Sequence, residues 1–436
     1  MNERIIMTNL QKIDPEIFSI TAREEKRQEE GMELIASENY VSRAVLEAMG
    51  SVFNNKYSEG YPGKRYYAGN EIVDEMEYLC IDRAKKLFGC DHVNVQTLSG
   101  SPANTAVYFA TLKPGDKVVG LALDQGGHLS HGHKVNFSGM LYNFVQYTVK
   151  PDTGYIDMDL VRNIVRREKP KMVLAGFSAY SRNIDWKAFK EIADEVGAIT
   201  FADIAHIAGL IAGKQLESPV PFFDIVTTTT HKTLRGPRGA IIMCKEKYAQ
   251  AIDTAVFPGL QGGPHDHINS AKAVAFKEAL DASFETYAAQ TIKNSKALAA
   301  ALMGKGFKIV SGGTDNHLMV VDVTSRKVPG LTAERALDAA HISCSRSTIP
   351  FDPRKPFNPS GVRLGTPAVT TRGMIEADMV KLADWIDRII TIAAEKPEYQ
   401  EMKGTELMTA MRSHKKLIEV GNEVKEFCLK FPLFKT

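Results

Sequence analysis

Thr227-Thr228-Thr229-Thr230-His231-Lys232-Thr233-Leu234-Arg235-Gly236-Pro237-Arg238-Gly239 is the stretch on which the reading of this chain turns. With Asp224-Ile225-Val226 before it, a β-branched run ends in one lysine between an imidazole and a hydroxyl, and a Gly/Pro/Arg turn follows. That pattern reads as a strand delivering an amine to a fixed point at its end. An amine so held is what a Schiff-base lysine needs. A surface lysine after an edge strand is the competing reading, and the rest of the chain has to decide between them.

Working outward, strands and helices alternate. A helix over 71–88 stops at Gly89, the strand His92 to Gln96 follows, and a helix runs from about Ser101 to Leu112. Further strands are expected at Lys117–Leu121, Leu141–Val149, Met172–Ala175, Ala198–Ala202, Ile225–Thr229 and Ala240–Cys244. Helices between several of them argue for a three-layer α/β fold with a mostly parallel sheet. A long helix is expected from His267 to Met303. Strands near Phe307–Val310 and His317–Val323, with helices at Thr332–Ala340 and Ile375–Ile392, give the last third an α+β pattern. The expected division is an N-terminal helical arm over 1–55, a large α/β domain over 56–290 and a smaller C-terminal α+β domain over 291–436. Asp14-Pro15 caps the arm's first helix, which opens Glu16 to Gly31, and Ser42 to Val52 is a second short helix. Tyr57 to Gly69 reads as a loop carrying four phenols: Tyr57, Tyr61, Tyr66 and Tyr67.

Composition excludes several classes. The 436 residues are 44% hydrophobic and 24% charged, an ordinary globular balance. With 54 basic and 52 acidic residues the net charge is +2, too small for a nucleic-acid field. Met1 to Arg4 leads into a polar segment without an apolar leader, and no apolar run is long enough to span a bilayer; a cytoplasmic protein is expected. Cys80, Cys90, Cys244, Cys344 and Cys428 are odd in number and widely spaced, which suits unpaired thiols.

Four further motifs bear on Lys232. Ser99-Gly100-Ser101-Pro102-Ala103-Asn104 follows a strand and opens a helix, either an ordinary Ser cap or a phosphate cradle. Asp203 ends the strand of Ile199-Thr200-Phe201-Ala202-Asp203-Ile204-Ala205-His206; there it either caps a helix or pairs with a pyridinium nitrogen, with His206 in reach of the same ring. His128 in Asp124-Gln125-Gly126-Gly127-His128-Leu129-Ser130-His131 could stack on a flat cofactor. A metal site using His131 and His133, or His265 and His267, is the rival, but neither cluster has a helical i, i+4 pair or a cysteine. Arg363, in a short strand of the second domain, offers a two-pronged clamp for a carboxylate. Amine, phosphate site, pyridine partner, ring stack and carboxylate clamp together are what a pyridoxal-phosphate enzyme acting on an amino acid requires.

On these residues the chain resembles the serine hydroxymethyltransferase family of fold-type I pyridoxal-phosphate enzymes (aspartate aminotransferase-like), over roughly Glu16 to Ile392. The resemblance is carried by Leu34-Ile35-Ala36-Ser37-Glu38-Asn39, the Tyr57–Tyr67 segment, the Gly-Gly-His turn, Asp203-Ile204-Ala205-His206, Thr-His-Lys, and Gly259-Leu260-Gln261-Gly262-Gly263-Pro264. It implies that Lys232 carries the cofactor covalently. Ser99, Gly100, Ser101, Thr229 and His231 would bind the cofactor, the phosphate falling to Gly100, Ser101 and His231 and to Gly263 of a neighbouring subunit. It further implies that Asp203 pairs with the ring nitrogen, His128 stacks, and Ser178 and His206 orient the ring oxygen. Arg363 and Ser37 would hold the substrate carboxylate. Tyr57, Glu59 and Tyr67 would reach across a homodimer interface, with Glu59 moving a proton. Glu59, Tyr66, Leu123, Gly127, Leu129 and Ser347 would meet tetrahydrofolate. The implied reaction passes the serine hydroxymethyl carbon to tetrahydrofolate, leaving glycine.

The chain departs from the family where Ser345-Arg346-Ser347 replaces Asn-Lys-Asn, and at Leu98, Ala68 and Ala240. A folate-independent aldolase on β-hydroxy amino acids is the alternative on the same fold. A non-catalytic, RNA-associated relative would lack Lys232 or Asp203, and both are present.

Overall fold

The computed structural model describes residues 8–402 and 404–433; the opening Met1–Arg4 stretch lies outside them. Seven strands form the main sheet, in the spatial order His92–Asn94, Ala240–Cys244, Ile225–Thr229, Ile199–Asp203, Met172–Gly176, Lys117–Leu121, Asn143–Tyr147. The inner ladders are parallel, and only Ala240–Cys244 runs against its neighbours on both sides.

Side chains along these strands alternate between two cores. Val119, Val173 and Ala175 face one side with Phe189, Ile164 and Phe276 of covering helices. Val118, Met172, Leu174 and Phe201 face the other with Ala103, Val107 and Tyr108. A parallel sheet covered on both faces has this double burial, and it explains why its strands read as continuous apolar runs. The ligand-bearing turns then collect at the carboxyl ends of the parallel strands, which for such sheets is where sites form.

A second core lies around a four-stranded sheet, ordered Lys308–Ile309, Leu318–Asp322, Gly361–Gly365, Ser345–Ser347. Met32 and Leu34 belong to this core, because Met32–Glu33 pairs in parallel with Ile342–Ser343. The N-terminal segment is thereby carried past the second sheet toward the first.

Some expected elements change. The helix expected over His267–Met303 is two, Asp266–Ala279 and Ala282–Gly304. Asp281 breaks it: its carboxylate accepts the Ser283 N–H at 2.9 Å and caps the second helix. The Leu141–Val149 strand is shorter, Asn143–Tyr147, since Asn136 caps a helix at Phe137–Leu141. The Ser42–Val52 helix stops at Met49, and a short 3₁₀ turn follows at Val52–Asn55. The four-phenol loop contains a small hairpin pairing Gly60–Tyr61 with Lys64–Arg65. Arg65 fixes it, bonding the Ser58 and Gly60 carbonyls, Asp74 and Glu77. Asp14, by contrast, caps Pro15–Glu30 as expected, accepting the Ile17 N–H.

Arg372 clips the chain ends together. Its guanidinium donates to the carbonyls of Gln28, Glu29, Gly31, Cys428 and Phe431. Hydrogen bonds from a charged donor contribute about 1.5–3 kcal/mol, and losing the donor strands buried acceptors. Arg372→Met is therefore expected to destabilise the fold by about 3 kcal/mol or more, read as a lower urea midpoint. An unchanged midpoint would show that the first and last long helices do not depend on this residue.

Candidate active site

A cavity of about 460 Å³ opens at the carboxyl ends of the strands, and Lys232 lines it. The Ile225–Thr229 strand ends two residues before His231, and the turn folds back so that the Arg235 N–H bonds the Lys232 carbonyl at 3.1 Å. Asn39 donates to the same carbonyl at 3.0 Å and to the Tyr287 hydroxyl at 2.8 Å. The lysine backbone is thus held from two sides while its amine is free to face the cavity. Burial lowers the Lys232 pKa to about 8, with Asp203 opposing the shift and Arg363 and Arg238 adding to it.

Asp203 ends its strand facing the same space. Its Oδ2 accepts from Asn104 Nδ2 at 2.8 Å and from His131 Nε2 at 3.0 Å, and its Oδ1 accepts the Ala205 N–H at 3.0 Å. Burial alone would raise its pKa; the His131 hydrogen bond, with the electrostatic pull of the neighbouring His131 and His128 rings and of Lys232, outweighs burial and holds it well below the usual carboxylate range. The His131 tautomer follows from its partners: Nδ1 accepts the His128 N–H at 3.3 Å, so the proton sits on Nε2 and goes to Asp203. Asn104 is itself held by the Thr227 hydroxyl at 2.7 Å.

The helix Gly100–Thr111 points its N-terminus into the cavity, and Ser99 makes no side-chain cap bond to it. The first-turn amides of Gly100 and Ser101 have no helical partner and suit an anion. Glycine is required at 100: a Cβ there would lie 2.8 Å from Thr229 Cγ2, closing the cradle against the strand. His231 lines the cradle with Nδ1 unpartnered, and burial, then Arg238, push its pKa down to about 3. His128 is also neutral, lowered to about 4 by burial, and Ser130 Oγ fixes its ring at 2.8 Å from Nδ1.

Arg363 enters from the second sheet. One Nη1 N–H goes to the Ser178 carbonyl at 2.6 Å, while Nε has no partner. Burial lowers its pKa to about 10, so it stays charged and needs an anion. Ser37 reaches the same cavity because Gly365 packs on Ala36 and donates its N–H to Leu34.

The structure thus brings together Lys232, Asp203, His128, His206, Ser178, Arg363 and Ser37 with the cradle residues Ser99, Gly100, Ser101, Thr229 and His231. A second cavity of about 540 Å³ shares Ser178 and Arg363 and takes in Leu123, Gly127 and Ser347. Leu129 lines neither cavity and is 45% exposed. Tyr57, Glu59, Tyr67 and Gly263 form a separate cluster: Tyr57 donates to Glu59 at 3.3 Å, its ring lies 5.1 Å edge-on to Tyr67, and Gly263 sits against it. Tyr66 packs on Phe257 instead, at 5.5 Å. The sequence reading gave no role to Glu38, Phe177, Ala205 and Arg238, which also line the first cavity. It weighed His131 only as a metal ligand, and the structure ties that ring to Asp203. Asn104 and Asn39 stood inside quoted motifs, but nothing in sequence spacing showed which backbone or carboxylate each would hold.

A sequence profile described as serine hydroxymethyltransferase matches residues 10–386. The chain belongs to the serine hydroxymethyltransferase family. It is 53% identical over 426 residues to a serine hydroxymethyltransferase of Desulfotalea psychrophila, covering 98% of this chain and 96% of the relative. It is 54% identical over 419 residues to one of Acidothermus cellulolyticus, covering 96% and 95%. The seven-stranded α/β sheet with its second, smaller sheet is the fold-type I architecture of this family.

A lysine that titrates near 8 captures an aldehyde best above that pH. In the apoprotein, capture of pyridoxal phosphate is expected to rise about tenfold per pH unit below pH 8 and to level off above it. Asp203→Asn removes the group that raises this pKa, so the midpoint should move lower still. Stopped-flow absorbance over pH 6 to 10 reads both, and a wild-type midpoint near that of a free lysine would contradict the buried setting.

Proposed function

We propose that the chain is a pyridoxal-phosphate-dependent serine hydroxymethyltransferase that passes the serine hydroxymethyl carbon to tetrahydrofolate and releases glycine. The observation that carries this reading is the convergence, in one cavity, of a depressed lysine amine, a buried carboxylate, an open helix N-terminus and an under-partnered guanidinium. This donor set fits the cofactor: the cradle at Ser99–Ser101 suits its phosphate, and the Gly100–Thr229 contact leaves no room for a side chain where the phosphate would sit. When bound, pyridoxal phosphate supplies an electron sink for the pair left as the serine Cα–Cβ bond breaks.

The chain's residues do the rest. Lys232 would hold the cofactor covalently through its amine. Asp203 keeps the ring nitrogen protonated, which it can do because it remains anionic in a buried place. Neutral His128 covers the ring face without adding charge. Ser178 and His206 would hold the ring oxygen, and Arg363 with Ser37 would hold the substrate carboxylate and so orient the bond that breaks. The second cavity, with Leu123, Gly127 and Ser347, takes the folate, next to the carboxylate clamp it shares.

Tyr57, Glu59 and Tyr67 stand apart from their own chain's Lys232. Tyr57, Tyr66 and Tyr67 are 56%, 73% and 51% exposed, and such a cluster of exposed aromatic rings marks an interaction surface. The reading is a homodimer in which Glu59 of the partner subunit moves a proton at the substrate hydroxyl, with Tyr66 and Leu129 facing the folate and Gly263 of the partner subunit completing the phosphate site. The division at 1–55, 56–290 and 291–436 and a cytoplasmic location belong to the same reading; among the described residues no helix is long and apolar enough to cross a membrane.

Glycine added to the cofactor-loaded protein should give a long-wavelength absorbance that grows strongly with tetrahydrofolate, and Lys232→Gln should lose serine turnover. Absorbance that ignores folate would overturn the transferase reading in favour of a folate-independent aldolase. Shared sites have a separate test. Glu59→Gln and Lys232→Gln subunits should each be inactive alone, and refolding them together at equal amounts should restore about a quarter of wild-type activity, since half the dimers carry one intact site. No recovery would place Glu59 and Lys232 in the same subunit's site.

A further inference from the structure

Lys272 is a buried charge that the reading above does not use. It sits on the helix Asp266–Ala279 and is 1% exposed. Its Nζ donates to the Val95 carbonyl at 2.6 Å, the Thr97 carbonyl at 3.1 Å and Asn269 Oδ1 at 3.2 Å. A neutral amine has two protons to give, so three acceptors around one nitrogen require the ammonium. Burial lowers its pKa to about 8, which still leaves it charged at neutral pH. Among the described residues no carboxylate pairs with it: Glu77 lies beyond ion-pair reach and is bonded to Arg65 at 2.7 Å. A buried cation answered only by neutral oxygens is costly to keep, and an anion held nearby would offset that cost.

The carbonyls that Lys272 takes belong to the segment leading into the helix N-terminus at Gly100. The strand His92–Asn94 has ended there, and Ser99 opens the helix two residues after Thr97. The Thr97 carbonyl also accepts the Ala240 N–H at 3.2 Å, so both of its lone pairs are taken. Gln261 brackets the same segment: its Nε2 donates to the Gln96 carbonyl at 2.9 Å, and its Oε1 accepts the Leu98 N–H at 3.3 Å. Side chains thus hold the backbone from Val95 to Leu98 just before the open amides of Gly100 and Ser101. Gly239 shows how closely the lysine is fitted. A Cβ there would lie 2.5 Å from Lys272 Cε, and the Gly239 carbonyl takes the Thr230 N–H at 3.0 Å, next to His231. The lysine is tied to both segments that enter the cradle, directly to the one ending at Ser99 and through Gly239 to the one ending at His231.

We propose that Lys272 is a positioning residue of the anion cradle: it holds the Val95–Leu98 segment so that the Gly100 and Ser101 amides aim at one point, and its charge, without a carboxylate of its own, favours a doubly charged anion there. Lys272 does not line the cavity, so it acts through the Thr97 carbonyl and through space. The inference rests on the reading of this helix N-terminus as a phosphate site. It goes beyond that reading by assigning part of the preference for a phosphate to a side chain outside the cavity.

Pyridoxal phosphate and pyridoxal differ only in the phosphate, so the ratio of their dissociation constants for the apoprotein reads the cradle alone. Absorbance titration measures both. Wild type should prefer the phosphorylated aldehyde strongly. In Lys272→Met, of similar length but without charge or donors, that ratio should fall about tenfold while the pyridoxal constant stays within about twofold of wild type. A ratio unchanged in folded Lys272→Met overturns the proposal. Equal loss of affinity for both aldehydes overturns it too, and would assign Lys272 to packing. If Lys272→Met does not fold, Lys272→Gln, which keeps an amide donor but no charge, is read by the same criterion. A wild type that binds the two aldehydes alike would overturn the phosphate reading itself, and the inference with it; that outcome is seen before any variant is made, so the two failures are distinct.

Discussion

A single buried carboxylate governs this site. An anion at the end of a central parallel strand is costly unless neighbouring dipoles and donors stabilise it. Asp203 has three such donors, from Asn104, His131 and the Ala205 amide, and each belongs to a different part of the fold. Asn104 projects from the helix whose N-terminus opens on the cavity. His131 follows the glycine turn that presents His128. Ala205 begins the segment that ends in His206. Stabilising one charge therefore fixes the relative placement of the helix N-terminus at Gly100, the His128 imidazole and His206. The same charge acts on Lys232, opposing the burial that lowers its pKa, so the amine stays partly protonated.

The second requirement is the approach of two sheets. The seven-stranded sheet supplies an amine, an anion and an anion-binding helix terminus, and the second sheet supplies the guanidinium whose Nε is left without a partner. Arg363 and His317 come from adjacent strands of the four-stranded sheet, Leu318–Asp322 and Gly361–Gly365, and contact the Ser178 carbonyl and His206 on the first. The N-terminal segment is laid between them: Leu34 accepts the Gly365 N–H, which carries Ser37 to the clamp, and Asn39 bonds the Lys232 carbonyl. Long-range polar contacts of this kind tie the cavity's lining to the packing of the second core.

The separate tyrosine cluster has different physics. The Tyr57–Tyr67 loop is rigid in its backbone, because Arg65 holds it with carbonyl and carboxylate bonds and the Ser58 hydroxyl donates to Asp266 at 2.6 Å. The rings of Tyr57, Tyr66 and Tyr67 nevertheless remain open to solvent. A stiff loop with exposed phenols loses little entropy on association.

Much of this was legible in the residues themselves. Apolar runs bounded by glycine locate the parallel strands because both sheet faces are buried. Asp14, Ser42 and Gly89 mark helix ends because capping is local chemistry. Lys232, Asp203, His128, Ser101 and Arg363 announce themselves by residue type at a strand end or a turn. The break at Asp281 escaped because its carboxylate competes with the helix for a backbone N–H, and apolar periodicity runs straight through such a cap. What only the tertiary structure decided is pairing between distant residues. That His131 meets Asp203, that Asn39 meets Lys232 and that His317 meets His206 depends on how two sheets and one N-terminal segment dock, across separations of 72, 193 and 111 residues. Local sequence sets the menu of turns and caps; the partner each polar group finds is set by the packing of elements far apart in the chain.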